Sequence, residues 1–354
     1  RGRADLLRAW LADPRPDAEF SDAIATNLGE CLSCAACSGL CPVRVDIPEM
    51  KSRFLERHHD DVRRRPMSHH VMSRFERLAV VTSTVPRISR ILSRPVGRLL
   101  GLTDLPSPPR RDRSRWPRFD PDAEAFTGAH RPPDAVVVPD VFTSVLEPHV
   151  LDAAIDALGR AGLAVAVADL LPSGKYDHVK GLRRRFAQAA RAQTDLVERV
   201  AAVGARPVVI EPAVSLLHRY EYPMILGAPA TGAVDDLSAL LVDAPPLRAA
   251  APQAVTLVGH CSEQALAPER RERWAHLLRV AGHTVDVVDA GCCGMAGSFG
   301  HERDHRAMSE RIWRRSWGPV VASSDGLVAA VGASCRMQTK RFAGIAAHHP
   351  VELL

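Results

Sequence analysis

Lysine is nearly missing from this chain. It occurs only at 51, 175, 180 and 340, and every other residue among the 46 basic ones is arginine. With the abundant alanine, that bias reads as GC-rich coding rather than chemistry. Aromatic residues are also scarce, at 5%, so a core must lean on Ala, Val and Leu. No stretch of 18 apolar residues occurs, which excludes a membrane-spanning helix. No charged leader followed by an apolar run is visible, so a cytoplasmic location is expected, with at most peripheral contact on the inner face of a membrane. Eight cysteines in 354 residues are too few for a disulfide scaffold, and oxidising compartments disfavour free thiolate sites. The formal charge of +5 is too small to argue for nucleic acid, and no such partner is expected. A chain that is 46% hydrophobic and 25% charged is not wholly disordered.

Length alone predicts about two domains of roughly 150 residues. Residues 5–12 and 18–28 read as short helices, and Met50, Phe54 and Leu55 mark a helix after Pro48. Residues 66–105 are apolar, studded with arginine and broken by Pro86, Pro95 and Pro106. Residues 106–134 hold seven prolines and no sustained period, and are expected to be a linker. Strands are then expected at 135–138, 163–168 and 207–210, with helices at 148–159 and 181–203. The same order recurs as strands at 254–258, 284–288 and 327–331, with helices at 267–281 and 302–317. Alternation of this kind implies parallel α/β architecture. A constant offset of about 120 residues relates the two stretches, carrying Val138 onto Val258, Asp169 onto Asp289, Gly174 onto Gly294 and Val208 onto Val328.

Half the cysteines fall in one run, Cys31-x2-Cys34-x2-Cys37-x3-Cys41-Pro42. Three thiolates so spaced wrap a compact loop around a 4Fe–4S cluster, while the fourth, before proline, ligates a neighbouring cluster in two-cluster ferredoxins. Zinc prefers two separated pairs, and a disulfide needs fewer thiols. The chain holds no second copy of the run. Either Cys41 closes the same cluster, or a partner motif precedes Arg1; the abrupt helical start favours the second, and with it a longer polypeptide. The remaining cysteines are Cys261, Cys292, Cys293 and Cys335. At the repeat offset the first half has Val141, Pro172, Ser173 and Ser215, so four positions lose sulfur together. These four are expected to act as one unit at the C-terminal ends of adjacent strands: a second iron–sulfur site, a redox thiol site, a zinc site or inert buried thiols.

His260 and His301 are candidate ligands or proton carriers, though a lone histidine is more often a satisfied structural group. The loop Gly294-Met295-Ala296-Gly297-Ser298-Phe299-Gly300 lacks the Lys-Ser/Thr ending of a phosphate loop; its glycines are expected to let backbone approach a cluster or partner closely. The basic amphipathic stretch 85–102, with Arg87, Arg90, Arg94 and Arg98, is expected to pack its apolar side on the lobes, with an anionic membrane surface as the alternative.

Cys31–Pro42 with Val43, Asp46, Pro48 and Ser52-Arg53-Phe54-Leu55 resembles the iron–sulfur section of large fused FAD-linked D-2-hydroxyacid dehydrogenases. So do Gly291-Cys292-Cys293-Gly294-Met295-Ala296-Gly297, His301-Glu302, Cys335-Arg336, Lys340-Arg341 and His349-Pro350-Val351. The wider class is the CCG domain, shared with the iron–sulfur subunit of glycolate oxidase and with the CCG-bearing subunit of heterodisulfide reductase. The sequence departs from the C-x2-C ending of the heterodisulfide reductase type at Cys335-Arg336-Met337-Gln338.

The fold expected is α+β overall. A helical, ferredoxin-like 4Fe–4S domain (1–105) and the linker (106–134) precede two pseudo-symmetric α/β lobes with parallel sheets, one without cysteine (135–248) and one bearing it (249–354). The resemblance implies electron transfer from a flavin to an acceptor left open. FAD and the partner flavin dehydrogenase half would lie outside these residues, and the substrate would be D-2-hydroxyglutarate or D-lactate. No catalytic residue is assigned. A separate iron–sulfur subunit, or a module that metal merely staples, are the other readings.

Overall fold

The computed structural model describes residues 2–12, 17–42, 45–104, 106–110, 112, 114–120, 132–229 and 234–354; Val43 and much of the expected linker, including 121–131, lie outside them. Helices Gly2–Ala12, Ala18–Gly29 and Ile47–Arg57 bury Leu7, Trp10, Ile24, Leu28, Phe54 and Leu55 against one another. Asp17 and Asp46 cap the second and third, accepting from Phe20 and Glu49 amides at 2.6 and 3.0 Å, which satisfies donors the first turn would leave bare. The cysteine run hangs between these last two helices, with Cys31 packed on the edge of that hydrophobic cluster.

Two parallel sheets follow. The first has β1 (Ala135–Val137), β2 (Val165–Val167), β3 (Arg206–Val209) and β4 (Asp235–Asp236), in the order β2-β1-β3-β4. The second has β5 (Ala254–Val258), β6 (Thr284–Val288) and β7 (Leu327–Ala330), in the order β6-β5-β7. The expected strands form, and β4 was not foreseen, because two aspartates carry no strand signal. In the first sheet alternate residues face opposite cores, as the pleat requires. Ala135 and Val137 join one cluster, and Val136 and Val138 another under helix Arg183–Ala202. The first of these clusters is shared: helices Pro148–Arg160 and Glu269–Ala281, one from each half, meet in it.

The register tests the repeat. Ala135 pairs with Val165, and Val255 with Val285, at the expected offset. Gly174 and Gly294 both take left-handed φ, +71° and +87°. The third strand departs: Val137 faces Val208, whereas Leu257 faces Ala329. Val208 therefore corresponds to Ala329, not Val328, and Cys335 to Val214, not Ser215. One inserted residue between β6 and β7 explains the shift, and pattern matching misses it because a uniform Val/Ala strand scores alike in either register.

One other expectation needs correction, and the expected linker makes contacts of its own where it is described. Trp116 and Phe119 are buried, the Trp116 indole donates to Asp152 at 2.7 Å, and Pro117 accepts the Val167 amide. A single strand-edge bridge of this kind leaves no period to read. The stretch 85–102 meets the second lobe at its end, where Leu102 is buried and bridges Glu302, but its helical part does not lay its apolar side on the lobes. It forms the helix Pro86–Leu99, running through Pro95, with Ile88, Ile91, Leu92 and Leu99 exposed. A surface helix can tolerate an internal proline more easily than a buried one, because water can satisfy the freed carbonyl.

The helical section is bolted to the first lobe by buried acids. Glu49 pairs with His178 at 3.2 Å and Arg183 at 2.8 Å. Burial alone would raise its carboxyl, but His178, Arg53 and Arg183 pull it down to about 2. Glu76 accepts from both the amide and hydroxyl of Ser173, at 2.7 Å each, and burial pushes it up to about 7 from 4.5. Between those two pH values the folded chain keeps a proton the unfolded chain has released. Stability contributed here therefore falls as pH rises through that window, by up to about 3 kcal/mol. Glu76→Gln should remove this part of the slope in urea titrations across pH 5–8; an unchanged slope would refute the assignment.

Candidate metal centre

Helix Ala36–Leu40 begins inside the cysteine run, so Cys37 sits on a helical turn while Cys31 and Cys34 sit on the loop before it. Cys31, Cys34, Cys37 and Cys41 line one open cavity of about 1260 Å³. The loop takes its shape at a cost. Ser33 and Ala35, either side of Cys34, are left-handed at φ 51° and 59°, a conformation that costs roughly 1–2 kcal/mol each outside glycine. The Ser33 hydroxyl is buried without a partner among the described residues. Strain and an orphaned polar atom beside four cysteines that line one cavity fit a loop shaped for an inorganic guest. Burial raises the Cys34 thiol above its ordinary value, and Cys261 adds to the effect.

A buried ammonium stands behind this loop. Lys51 donates to the Cys31 carbonyl at 2.9 Å, and burial, aided by repulsion from Lys180, pulls it down to about 8. By composition alone the lysines look like a coding accident. Yet Lys175 and Lys180 are also in close ion pairs, with Glu221 and Glu302 at 2.7 Å. Lysine surviving in a chain that otherwise uses arginine was the available signal. An ammonium is a compact point charge that fits where a guanidinium fork does not.

The other four cysteines do come together. Cys261 opens helix Cys261–Leu266 after β5, Cys292 and Cys293 follow β6, and Cys335 rides on helix Ala333–Ala343 after β7. The connection from β5 runs to β6 on one side and that from β6 crosses back to β7 on the other, and ligand sites in open parallel sheets form where the strand order reverses in this way. The thiols make a chain of contacts, Cys261 to Cys292 to Cys293 to Cys335. The contact with Cys292, then burial, hold the Cys261 thiol far above its ordinary value. Cys261 draws the Cys292 thiol down, but Cys293 and burial outweigh it and leave that thiol raised. Such sulfurs ionise only when a cation compensates them, as thiolate-bound metals do. Among the described residues, no three His, Cys, Asp or Glu side chains already enclose a single point in ligating geometry.

Hydrogen bonds hold the surrounding backbone. Gln338 donates to the Cys293 carbonyl at 3.0 Å, Ser316 to the Cys292 carbonyl at 2.8 Å, and Ser309 to the Gly294 carbonyl at 2.7 Å. Gly294 admits no other residue, since a Cβ would lie 2.5 Å from the Ser309 carbonyl oxygen. The glycine-rich loop thus serves close packing on the helix Arg306–Arg315. His260 is buried against Gly332, its ring pushed down to about 4 by burial and its Nδ1 unpartnered among the described residues. His301 bonds Asp104 at 2.7 Å beside Arg341, tying residues after the exposed helix to the second lobe. Sequence reasoning missed Arg336 as a clamp. Fully buried, it donates to the Ala330 and Val331 carbonyls and pairs with Glu147 of the first lobe at 2.5 Å.

The two cysteine groups meet. Helix Ala36–Leu40 lies on helix Cys261–Leu266 so closely that a Cβ on Gly39 would stand 2.5 Å from the Ala265 carbonyl oxygen.

Fold and site together define a class of architecture: a helical cysteine-motif section docked on two parallel α/β halves, one of which gathers four thiols at its strand ends. Comparison with known proteins gives the particular likeness. The chain is 31% identical over 371 residues to D-2-hydroxyglutarate dehydrogenase of Pantoea ananatis, and 29% over 369 residues to that of Escherichia coli. Each alignment covers 99% of this chain and 36% of the relative, so the chain spans about a third of the length of these curated relatives. One subunit of the anaerobic glycerol-3-phosphate dehydrogenase of Escherichia coli aligns over 78 residues at 27% identity, 22% of this chain and 20% of that protein. No protein-family model matches the chain.

Proposed function

We propose that this chain is the iron–sulfur electron-transfer section of an FAD-linked D-2-hydroxyacid dehydrogenase, acting on D-2-hydroxyglutarate or D-lactate. The observation that carries the reading is the docking of the first cysteine loop onto the helix that begins with Cys261. A cluster, when bound, supplies one-electron storage at a potential set by burial, charge and hydrogen bonds. Cys31, Cys34 and Cys37 would hold it, with Cys41 directed to it or to a neighbour. Cys261, Cys292, Cys293 and Cys335 would hold a second centre, iron–sulfur or zinc, or work as thiols. Lys51 places a fixed positive charge behind the first loop. The buried side chains around Cys293 and Cys335 exclude water, and Gln338, Ser309 and Ser316 fix the backbone that presents the sulfurs. FAD and the C–H bond cleavage belong to polypeptide outside these residues.

The reading is tested on anaerobically purified holoprotein. Iron and acid-labile sulfide should be present, and either hydroxyacid should bleach the visible absorbance reversibly. Colourless, sulfide-free material refutes it. Gly39→Val should keep iron and sulfide yet slow acceptor reduction by about an order of magnitude, near 1.4 kcal/mol in barrier, by separating the two groups. An unchanged rate would remove the contact from the path. The local likeness to the glycerol-3-phosphate dehydrogenase component favours a second reading, a separate iron–sulfur subunit with the same internal path.

A further inference from the structure

Helix Pro86–Leu99 is held to the second lobe at its C-terminal end, where the Arg303 guanidinium donates to the Arg98 carbonyl at 2.9 Å, and along its length it carries a large uncovered apolar surface. Ile88 is 55% exposed, Ile91 73%, Leu92 50% and Leu99 87%, and Val81 of the neighbouring helix Phe75–Thr82 is 62% exposed. A continuous patch of this kind on a protein surface marks a docking site. The charge beside it is of one sign. From Arg77 to Thr103 there are five arginines and no aspartate or glutamate. At 100° per residue Ile88, Ile91, Leu92 and Leu99 fill one side of the helix, and Arg87, Arg90, Arg94 and Arg98 form the adjoining stripe. Among the described residues none of those four guanidinium groups is in an ion pair. Between the helix and its neighbours runs a groove of about 400 Å³, lined almost wholly by hydrocarbon.

We propose that this helix is an interfacial anchor that seats the protein on an anionic lipid bilayer. The apolar side enters the headgroup–acyl boundary, and the arginine stripe lies level with the lipid phosphates, its stems on hydrocarbon and its heads in the polar layer. The groove gives room for an acyl chain. Charge favours lipid over a second copy of this chain: an antiparallel two-fold pairing through the apolar side would set arginine stripe beside arginine stripe, with no acid on the helix to relieve it. A lipid surface offers the continuous plane of negative charge that four parallel guanidinium groups match.

The test is co-sedimentation of the purified holoprotein with vesicles of phosphatidylcholine alone, or with roughly one third phosphatidylglycerol. Binding should appear with phosphatidylglycerol and weaken with salt. Arg90→Gln with Arg94→Gln should lower partition roughly 25-fold, about fivefold for each charge removed. Ile91→Asp with Leu99→Asp should abolish it, while circular dichroism and iron content stay those of the parent. Three outcomes overturn the proposal: equal, weak binding to both vesicles; variants that bind as the parent does; or a holoprotein in which Ile91→Cys is shielded from maleimide without lipid, showing that other protein covers the helix. Vesicle binding needs neither iron nor flavin, so its failure leaves the electron-transfer reading untouched, and the reverse holds.

Discussion

Replacing Cys34 by alanine should strip the first site of its inorganic content. The variant, purified anaerobically, is expected to lose roughly four iron and four sulfide equivalents per chain, the content of one cubane cluster. Cys34 is the sharpest choice because of where it stands. Left-handed residues flank it on both sides, its thiol is raised by burial, and it faces Cys261 across the docked helices. A thiol so placed gives up its proton only to a cation that replaces it. Without that partner nothing offsets the strain at Ser33 and Ala35, roughly 2–4 kcal/mol together. The loop should then relax, and amide exchange at 31–41 should accelerate. Cys293→Ala is the control: it should leave this content in place if the two groups load separately. A Cys34→Ala protein with full iron, sulfide and colour would end the assignment of this loop as a cluster cradle.

Replacing Arg336 by methionine should cost about 3–5 kcal/mol of stability, the range seen when one partner of a buried ion pair is removed. Methionine keeps the volume, so the loss is electrostatic rather than a cavity. The guanidinium satisfies two carbonyls at the end of β7 and the Glu147 carboxylate of the first lobe. It also neutralises a buried acidic neighbourhood. Burial, then the nearby Asp140, push the Glu211 carboxyl above its ordinary value, with Arg336 drawing it back. Glu211 accepts the Ala333 amide at 3.0 Å, at the start of the helix that carries Cys335. Removing the cation thus loosens both the joint between halves and the seat of one thiol. Urea denaturation followed by circular dichroism measures it. A loss under about 1 kcal/mol, in the range of an exposed pair, would mean that Arg336 is not the clamp.

Much of this was legible in order but not in placement. The valine runs at 135–138 and 254–258 declare buried strands because both faces of a parallel sheet are covered, so the hydrophobic signal is continuous. The cysteine run is legible as a motif because its spacing is local, and the structure puts Cys31, Cys34 and Cys37 on one cavity. The contributions of Glu49, Glu76 and Arg336 were not legible. Each is an ordinary charged residue whose role comes from a partner more than 90 positions away, and no local pattern records such a partner.

By itself the sequence determined most of the element types and the parallel repeat, both consequences of short-range period and spacing. Only the tertiary structure decided the one-residue shift at β7, the docking of the Cys31–Cys41 loop beside Cys261, and the nakedness of helix Pro86–Leu99. Those depend on which surfaces meet. An amphipathic helix reads the same whether a protein lobe or nothing covers its apolar side, so burial is settled by packing between distant segments.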